Sequence, residues 1–236
     1  LTGSDFALTN ESLLHTMHGL SVKSHTQGVF DWEVAASLYD YGKDQKRQNS
    51  AANALPGAAS GGPGTLADGN GTGWSNLALK GIWRPDGRQG AHTVDFGFQQ
   101  DSYQLDYLSS AIPGNWLQDG PGARVSEVGG KTRLQSLYAQ DAWSFAPRWK
   151  AVLGLRGERW SAYSGSTAIP GAAPAIDTRW AGRSQTHLSP KAALSWQWLP
   201  DTVLKASAGR AVRFPTVSEL YGATATANAQ YINDPN

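Results

Sequence analysis

The sequence predicts an all-β chain of about eight strands, an antiparallel sheet of the transmembrane β-barrel kind. Three observations carry this. Apolar and polar residues alternate with a period of two along several runs. Short turns and long irregular stretches follow one another in regular succession. Tryptophan and phenylalanine gather within a few residues of the short turns.

The runs lie near 13–25, 29–42, 73–84, 91–108, 132–145, 149–162, 186–198 and 202–213. Successive side chains of a strand point to opposite sides, so alternation assigns faces. In the second run Phe30, Trp32, Val34, Ala36 and Leu38 share one face; Asp31, Glu33, Ala35, Ser37 and Tyr39 share the other. The third sets Leu77, Leu79 and Trp83 against Asn76, Ala78 and Lys80. In the fourth the apolar phase slips from Val94, Phe96 and Phe98 to Tyr103, Leu105 and Tyr107, which predicts a bulge near Gln99 to Asp101. The fifth is mixed, and pattern alone does not assign its faces. The sixth opposes Trp149, Ala151, Leu153 and Leu155 to Lys150, Arg156 and Glu158. The seventh opposes Ala192, Leu194, Trp196 and Trp198 to Ala193, Ser195 and Gln197.

Tight turns fall at Thr26-Gln27-Gly28, Pro85-Asp86-Gly87-Arg88, Ala146-Pro147-Arg148 and Pro200-Asp201. Long loops fall at 43–72, 109–131, 163–185 and from Tyr221 onward. That rhythm belongs to an up-and-down barrel with short periplasmic turns and long extracellular loops. Phe30, Trp32, Trp83, Phe145, Trp149, Trp196 and Trp198 all lie near a short turn. They form a ring at one level, where an indole body meets lipid and its N–H meets water. A soluble β-sandwich, for instance a carbohydrate-binding module, is the rival reading, but it has no reason to place every long loop at one end.

Composition narrows the function classes. Charged residues are 17% of the chain, the net charge is +1, and Gly (27) and Trp (10) are abundant. No basic tract points to nucleic acid; Lys43, Lys46 and Arg47 are interleaved with Asp40 and Asp44. Absence of cysteine removes thiolate metal sites, cysteine nucleophiles and disulfides. No stretch approaches the ~20 apolar residues of a membrane helix. The glycine-rich stretches 61–64 and 69–71 lack the Lys-Ser/Thr of a phosphate loop, and no Ser/His/Asp set has local support, so no enzyme and no cofactor are expected. His15 and His18 point to opposite faces of a strand and do not jointly chelate, so no metal site is expected. The chain starts at Leu1 without a signal peptide and ends in a turn-like Asp234-Pro235-Asn236, which reads as truncation.

The most specific segment runs from Leu204 to Gly222: a strand rises to Arg213, Pro215 ends the ladder for want of an N–H, and the chain enters a loop. It resembles a stretch of TonB-dependent outer-membrane receptors in which a strand carrying GR(G)xRxPT leads into xELY; Arg213, Pro215, Thr216, Glu219 and Tyr221 match. Tyr138-Ala-Gln-Asp-Ala-Trp143, followed by Ala146-Pro147-Arg148 and Leu153-Gly-Leu-Arg156, is similar to a hairpin of the same family, as is the stretch from His18 to Tyr41. The resemblance implies that residues 1–236 are part of a single barrel domain, without the plug and with about a third of the family's roughly 22 strands. It implies an outer-membrane location and TonB-energised uptake of a scarce solute, most frequently in the family a ferric siderophore or other iron complex. Partners implied are the TonB complex through the plug, the iron complex or another small solute, and outer-membrane lipid. A passive porin or a lipid-modifying outer-membrane enzyme shares the alternation but not the segment from Arg213 to Tyr221.

Ligand contacts are expected from aromatic and charged residues of the long loops: Trp116, Arg179, Trp180, Arg183 and Tyr221. Arg210 and Arg213 are expected to form interior ion pairs with Glu158 or Asp141 rather than to hold an anionic ligand. Asp31 with Glu33, and Arg156 with Glu158, are read as inward pairs that hydrate a water-filled lumen.

Overall fold

The computed structural model describes residues 7–225, 230–233 and 235. Among them ten strands form one antiparallel sheet: β1 (Thr9–Lys23), β2 (Phe30–Asn49), β3 (Gly64–Asp68), β4 (Gly73–Trp83), β5 (His92–Ile112), β6 (Arg124–Ala146), β7 (Trp149–Ile169), β8 (Ile176–Trp180), β9 (Arg183–Leu199) and β10 (Thr202–Gly209). A five-residue helix, α1 (Val217–Tyr221), follows, then a small hairpin of β11 (Ala223–Ala225) and β12 (Gln230–Ile232). β3 and β4 both lie between β2 and β5, and β8 and β9 both pair with β7. The ten strands therefore fill eight wall positions, one for each expected run. β1 pairs within the sheet only with β2, and β10 only with β9.

Register aligns the faces across the whole sheet. One row reads Val34, Leu79, Phe98, Leu137, Gly157, Leu188, and the next toward the tight turns Trp32, Gly81, Phe96, Ala139, Leu155, Pro190. On the opposite face the rows read Glu33, Lys80, Gly97, Tyr138, Arg156, Ser189 and Ser37, Asn76, Asp101, Leu134, Trp160, Gln185. The first face carries large exposed apolar side chains such as Trp32, Leu137 and Leu155, and water does not satisfy them. The mixed fifth run resolves here: Leu137, Ala139 and Trp143 point to the apolar side, Ser136, Tyr138 and Gln140 to the polar side.

The aromatic ring is present at the tight-turn end of the apolar face. Trp149 stacks on Trp196 at 5.3 Å, Phe145 sits 6.2 Å from Trp149, and Trp143 sits 5.3 Å from Phe145. Phe30, Trp83 and Trp198 continue the band, each about half exposed. Large flat rings with one polar atom fit a lipid–water boundary on that face.

Three expectations are corrected. The bulge at Gln99 to Asp101 does not occur: β5 pairs without a shift through that region on both sides. What changes is the apolar target, because Tyr103 and Leu105 point to the polar face and pack against α1. The long stretches 43–72, 109–131 and 163–185 are not irregular throughout. β2, β5, β6 and β7 run on through them, and β3 and β8 return alongside. Lys43 to Gln48 is polar on both sides because neither side meets lipid, so alternation gives no signal there. At ~3.4 Å per residue and a tilt of ~45°, the 23 residues of β6 rise about 55 Å, twice a ~25 Å apolar band. In the other direction β10 ends at Gly209 rather than 213, where the chain leaves the ladder toward α1.

The third correction concerns Asp31. It does not merely hydrate the lumen; its carboxylate is buried and pins the first tight turn. It accepts hydrogen bonds from Ser24 Oγ (2.9 Å), Thr26 N (2.8 Å), Thr26 Oγ1 (2.9 Å) and Gln27 N (3.1 Å). Arg84 of the neighbouring turn closes the set at 2.8 Å and also donates to Gly28 O. Two turns are thus fastened through one carboxylate. Asp234 and Asn236 of the terminal tripeptide lie outside the described residues.

Candidate functional site

The polar face carries the candidate site, and α1 is its centre. After Pro215, Thr216 caps the helix: its hydroxyl accepts from Glu219 N while the Glu219 carboxylate accepts from Thr216 N at 2.8 Å. Arg213 donates to the same carboxylate. That guanidinium first, and the Thr216 amide second, hold the Glu219 carboxyl down to about 2 from its usual 4.5. The helix then lies on β5, β6 and β7 with Val217, Leu220 and Tyr221 buried. Trp160 and Ala162 form the floor, flanked by Tyr103, Leu105, Val128, Leu134, Trp180 and Phe214.

Two glycines admit the Tyr221 ring. A Cβ on Gly165 would stand 2.4 Å from ring atoms of Tyr221, and one on Gly130 2.7 Å away; Gly130 also has φ +157°, a backbone setting unfavourable to other residues. Thr167 hydroxyl donates to Tyr221 O and accepts from Trp180 Nε1 at 3.0 Å. The Tyr221 hydroxyl is buried without a hydrogen-bond partner among the described residues. Burial pushes that hydroxyl upward in pKa, against an opposing pull from Arg183.

Aromatic residues continue to either side of α1. On one flank Tyr39 stacks on Trp74 at 4.1 Å and 1°, and His15 on Tyr41 at 3.9 Å and 11°. Tyr39, Trp74 and Tyr103 share one row. His15 Nε2 lies 2.9 Å from Asp44 Oδ2, and its Nδ1 3.2 Å from the Tyr39 hydroxyl. On the other flank Phe214 stacks on Trp160 at 5.8 Å with His187 5.6 Å away, and the Arg183 guanidinium sits 5.4 Å from the Trp160 ring centre. The result is a belt of π-faces across the polar side of the wall.

Toward the tight turns the same face is ionic. Arg156 donates to Ser136 Oγ (2.8 Å), Gln99 Oε1 (3.1 Å) and Glu158 Oε1 (3.2 Å), and Glu158 accepts from Ser189 Oγ at 2.9 Å. A groove of about 420 Å³ opens there, lined by Lys80, Asp95, Arg156, Glu158, Lys191 and Arg210. Four cations face two carboxylates, so its field favours anions.

An apolar outer face, a polar inner face, long strands that outrun the bilayer and a loop helix folded inward describe a wide-barrel wall. A family model, TonB dependent receptor-like β-barrel, matches residues 4–236. The chain belongs to that family. No curated relative and no solved structure matches it. TonB-dependent receptors are transporters of the bacterial outer membrane, not enzymes. The polar face is accordingly the lumen, the tight turns are periplasmic and the extended hairpins extracellular.

Within the receptor wall the expected residues separate into groups. Arg213, Pro215, Thr216, Glu219 and Tyr221 are brought together in one device: the first four shape and cap α1, and Tyr221 seats it. Trp180 and Arg183 join that device, Trp180 with its ring 6.4 Å from Tyr221. Trp116 and Arg179 do not. Trp116 is buried with Leu66 and Ile112 in the core of the extracellular hairpins, its indole N–H donating to Ala58 O at 2.9 Å, which leaves no ring face open. Arg179 is exposed, 3.8 Å from Glu127. The expected interior ion pairs are also redistributed. Asp141 faces outward and bonds His92 at 2.7 Å, Glu158 takes Arg156, and Arg213 takes Glu219. His15 and His18 do fall on opposite faces.

Sequence reasoning missed Gly130, Gly165 and Thr167. Glycines inside strands signal a close approach by another backbone or ring, and that signal was available at 130 and 165. The Glu219 contacts give a pH expectation. A carboxyl whose folded value lies below its unfolded value stabilises α1 fully above about 4.5, and the gain is lost as pH falls toward 2. Hydrogen exchange at the α1 amides, corrected for intrinsic rates, is expected to accelerate through that window, and Glu219→Gln to abolish the pH response.

Proposed function

We propose that this wall belongs to a receptor that takes up a ferric siderophore or similar iron complex, driven by the TonB complex acting on a plug inside the lumen. The observation that supports the reading is the lumenal belt of π-faces around α1, from His15, Tyr41, Tyr39 and Trp74 to Phe214, which rests on the buried Trp160. Planar or aryl groups of an organic iron chelate stack on such faces, and Arg183 beside Trp160 offers a cation to an anionic chelate. Trp180, Arg183 and Tyr221 position that belt, and Arg179 and Trp116 belong to the extracellular rim above it. The cationic groove at Arg156, Lys191 and Arg210 lies below, on the route to the periplasm.

Uptake of radiolabelled iron by cells relying on this receptor tests the proposal. Ferric aryl chelates are expected to support uptake, and Trp74→Ala to weaken their binding about fivefold, one stacking contact being worth roughly 1 kcal/mol. Iron uptake no greater than in receptor-deleted cells, together with uptake of an oligosaccharide through the same protein, would overturn the iron assignment while leaving the transporter class intact.

A further inference from the structure

The outer face holds a feature that cargo uptake does not use. In the row Phe98, Leu137, Gly157, Leu188 the glycine sits between two leucines, and a Cβ there would meet nothing nearer than Leu137 O at 4.0 Å. The missing side chain leaves an apolar groove of about 480 Å³ lined by Phe98, Leu137, Gly157 and Leu188, with Gln135 and Arg159 at its upper end. Arg159 lies ten residues along β7 from Trp149 of the periplasmic aromatic band. Ten residues at ~3.4 Å and ~45° tilt rise about 24 Å, the height of the apolar band, so Arg159 stands at the extracellular lipid–water boundary.

Two further cations rise above it on the same face. Arg133 is opposite Ser161 and so diagonal to Arg159, and Lys131 is the next outward residue of β6, opposite Tyr163. Neighbours on that diagonal are about 7–8 Å apart, the span of a phosphorylated sugar. Arg133 and Arg159 are exposed. Among the described residues none of the three cations has a carboxylate within ion-pair distance. Arg133 instead rests 5.8 Å from the Tyr163 ring centre and donates to its hydroxyl at 3.3 Å. Asp106, the nearest outward carboxylate in register, accepts from Gln104. Ser102, Ser161 and Ser184 surround the cations with small polar side chains.

The geometry points to a binding site for a phosphorylated glycolipid of the outer leaflet, its phosphates on Lys131, Arg133 and Arg159 and one acyl chain in the groove over Gly157. Charge complementarity chooses this occupant over a neutral lipid, and a groove running down the lipid-facing wall chooses a lipid over a protein. The site is independent of what the receptor transports.

The test uses the intact receptor, stripped of endogenous lipid in detergent and titrated with lipid A under native mass spectrometry. Phosphatidylcholine, phosphatidylglycerol and inorganic phosphate serve as comparison probes. Lipid A is expected to bind in preference to all three. Arg133→Gln, Arg159→Gln and Lys131→Gln are each expected to weaken it about fivefold. Gly157→Leu, which fills the groove and leaves every charge in place, is expected to weaken it as well. The lumenal pair Lys191→Gln and Arg210→Gln is expected to leave it unchanged. Equal retention of lipid A by the triple charge variant, or equal binding of phosphatidylglycerol, would overturn the assignment. Should the triple variant fail to fold, Arg159→Gln and Gly157→Leu alone decide it, since both positions face away from the rest of the protein.

Discussion

Valine at position 165 is expected to expel α1 from the lumenal wall. The Tyr221 ring occupies the space a Cβ would need, at 2.4 Å where real contacts are far longer; its carbonyl is tied to the Thr167 hydroxyl, and the Trp180 ring lies 6.4 Å from its own. Overpacking of this kind costs roughly 1–3 kcal/mol when neighbours can give way. Here they cannot, because Gly130 closes the other side of the ring. Emptying the site is costly too: Tyr221→Ala removes a fully buried aromatic and is expected to cost about 3–5 kcal/mol. Tyr221→Phe makes the contrast, since the hydroxyl has no partner to lose and its removal is near neutral. Trypsin reports all three, because Arg210 and Arg213 lead into the helix. Fast cleavage is expected for Gly165→Val and Tyr221→Ala, wild-type resistance for Tyr221→Phe. Combining Gly165→Val with Tyr221→Ala is expected to recover part of the protection. Full resistance in Gly165→Val alone would show that the helix is not seated as described.

Removing the Asp31 carboxylate is expected to be the most destabilising single change at the periplasmic end. Five donors converge on it, and Asp31→Ala leaves the Thr26 and Gln27 amides without their acceptor and the Arg84 guanidinium with Gly28 O but no counter-charge. Breaking a buried ion pair by deleting one partner raises the unfolded-to-folded ratio roughly a hundredfold or more. Asp31→Asn keeps the shape and two lone pairs and is expected to lose less. Urea unfolding of the intact receptor in micelles separates the two, and an alanine variant with an unchanged midpoint would remove the carboxylate from this role.

Much of the wall is legible in the sequence. Val34, Leu79, Phe98 and Leu137 face one solvent while Glu33, Lys80 and Arg156 face another, and two unlike solvents impose a period of two on the sequence. Where the solvents become alike, the code disappears. Lys43 to Gln48 carries polar side chains on both sides, so a hydrogen-bonded strand there reads as a loop. Where a third environment intrudes, the code inverts. Tyr103 and Leu105 turn apolar side chains inward because α1 covers them, and the inversion reads as a bulge.

The site was legible in its parts and not in its assembly. Arg213, Thr216 and Glu219 interact within seven residues, and their roles follow from local capping chemistry. The burial of Tyr221 is not legible, because its seat is built from Gly130, Gly165 and Thr167, dozens of residues away. The burial of Trp116 is hidden for the same reason, its partners Leu66 and Ala58 lying in a different hairpin.

The strands that outrun the bilayer have a thermodynamic meaning for capture. A mouth built of free loops must freeze them around each cargo, giving up about 1–2 kcal/mol of backbone entropy per residue every time. Here the ladders of β2 with β3, β5 with β6 and β7 with β8 settle most of that cost once, when the wall folds. The opening behaves as a rigid mould and not as a closing hand. Discrimination then falls to shape and to the few side chains at the rim, and a cargo that fits is admitted without waiting for the protein to rearrange around it.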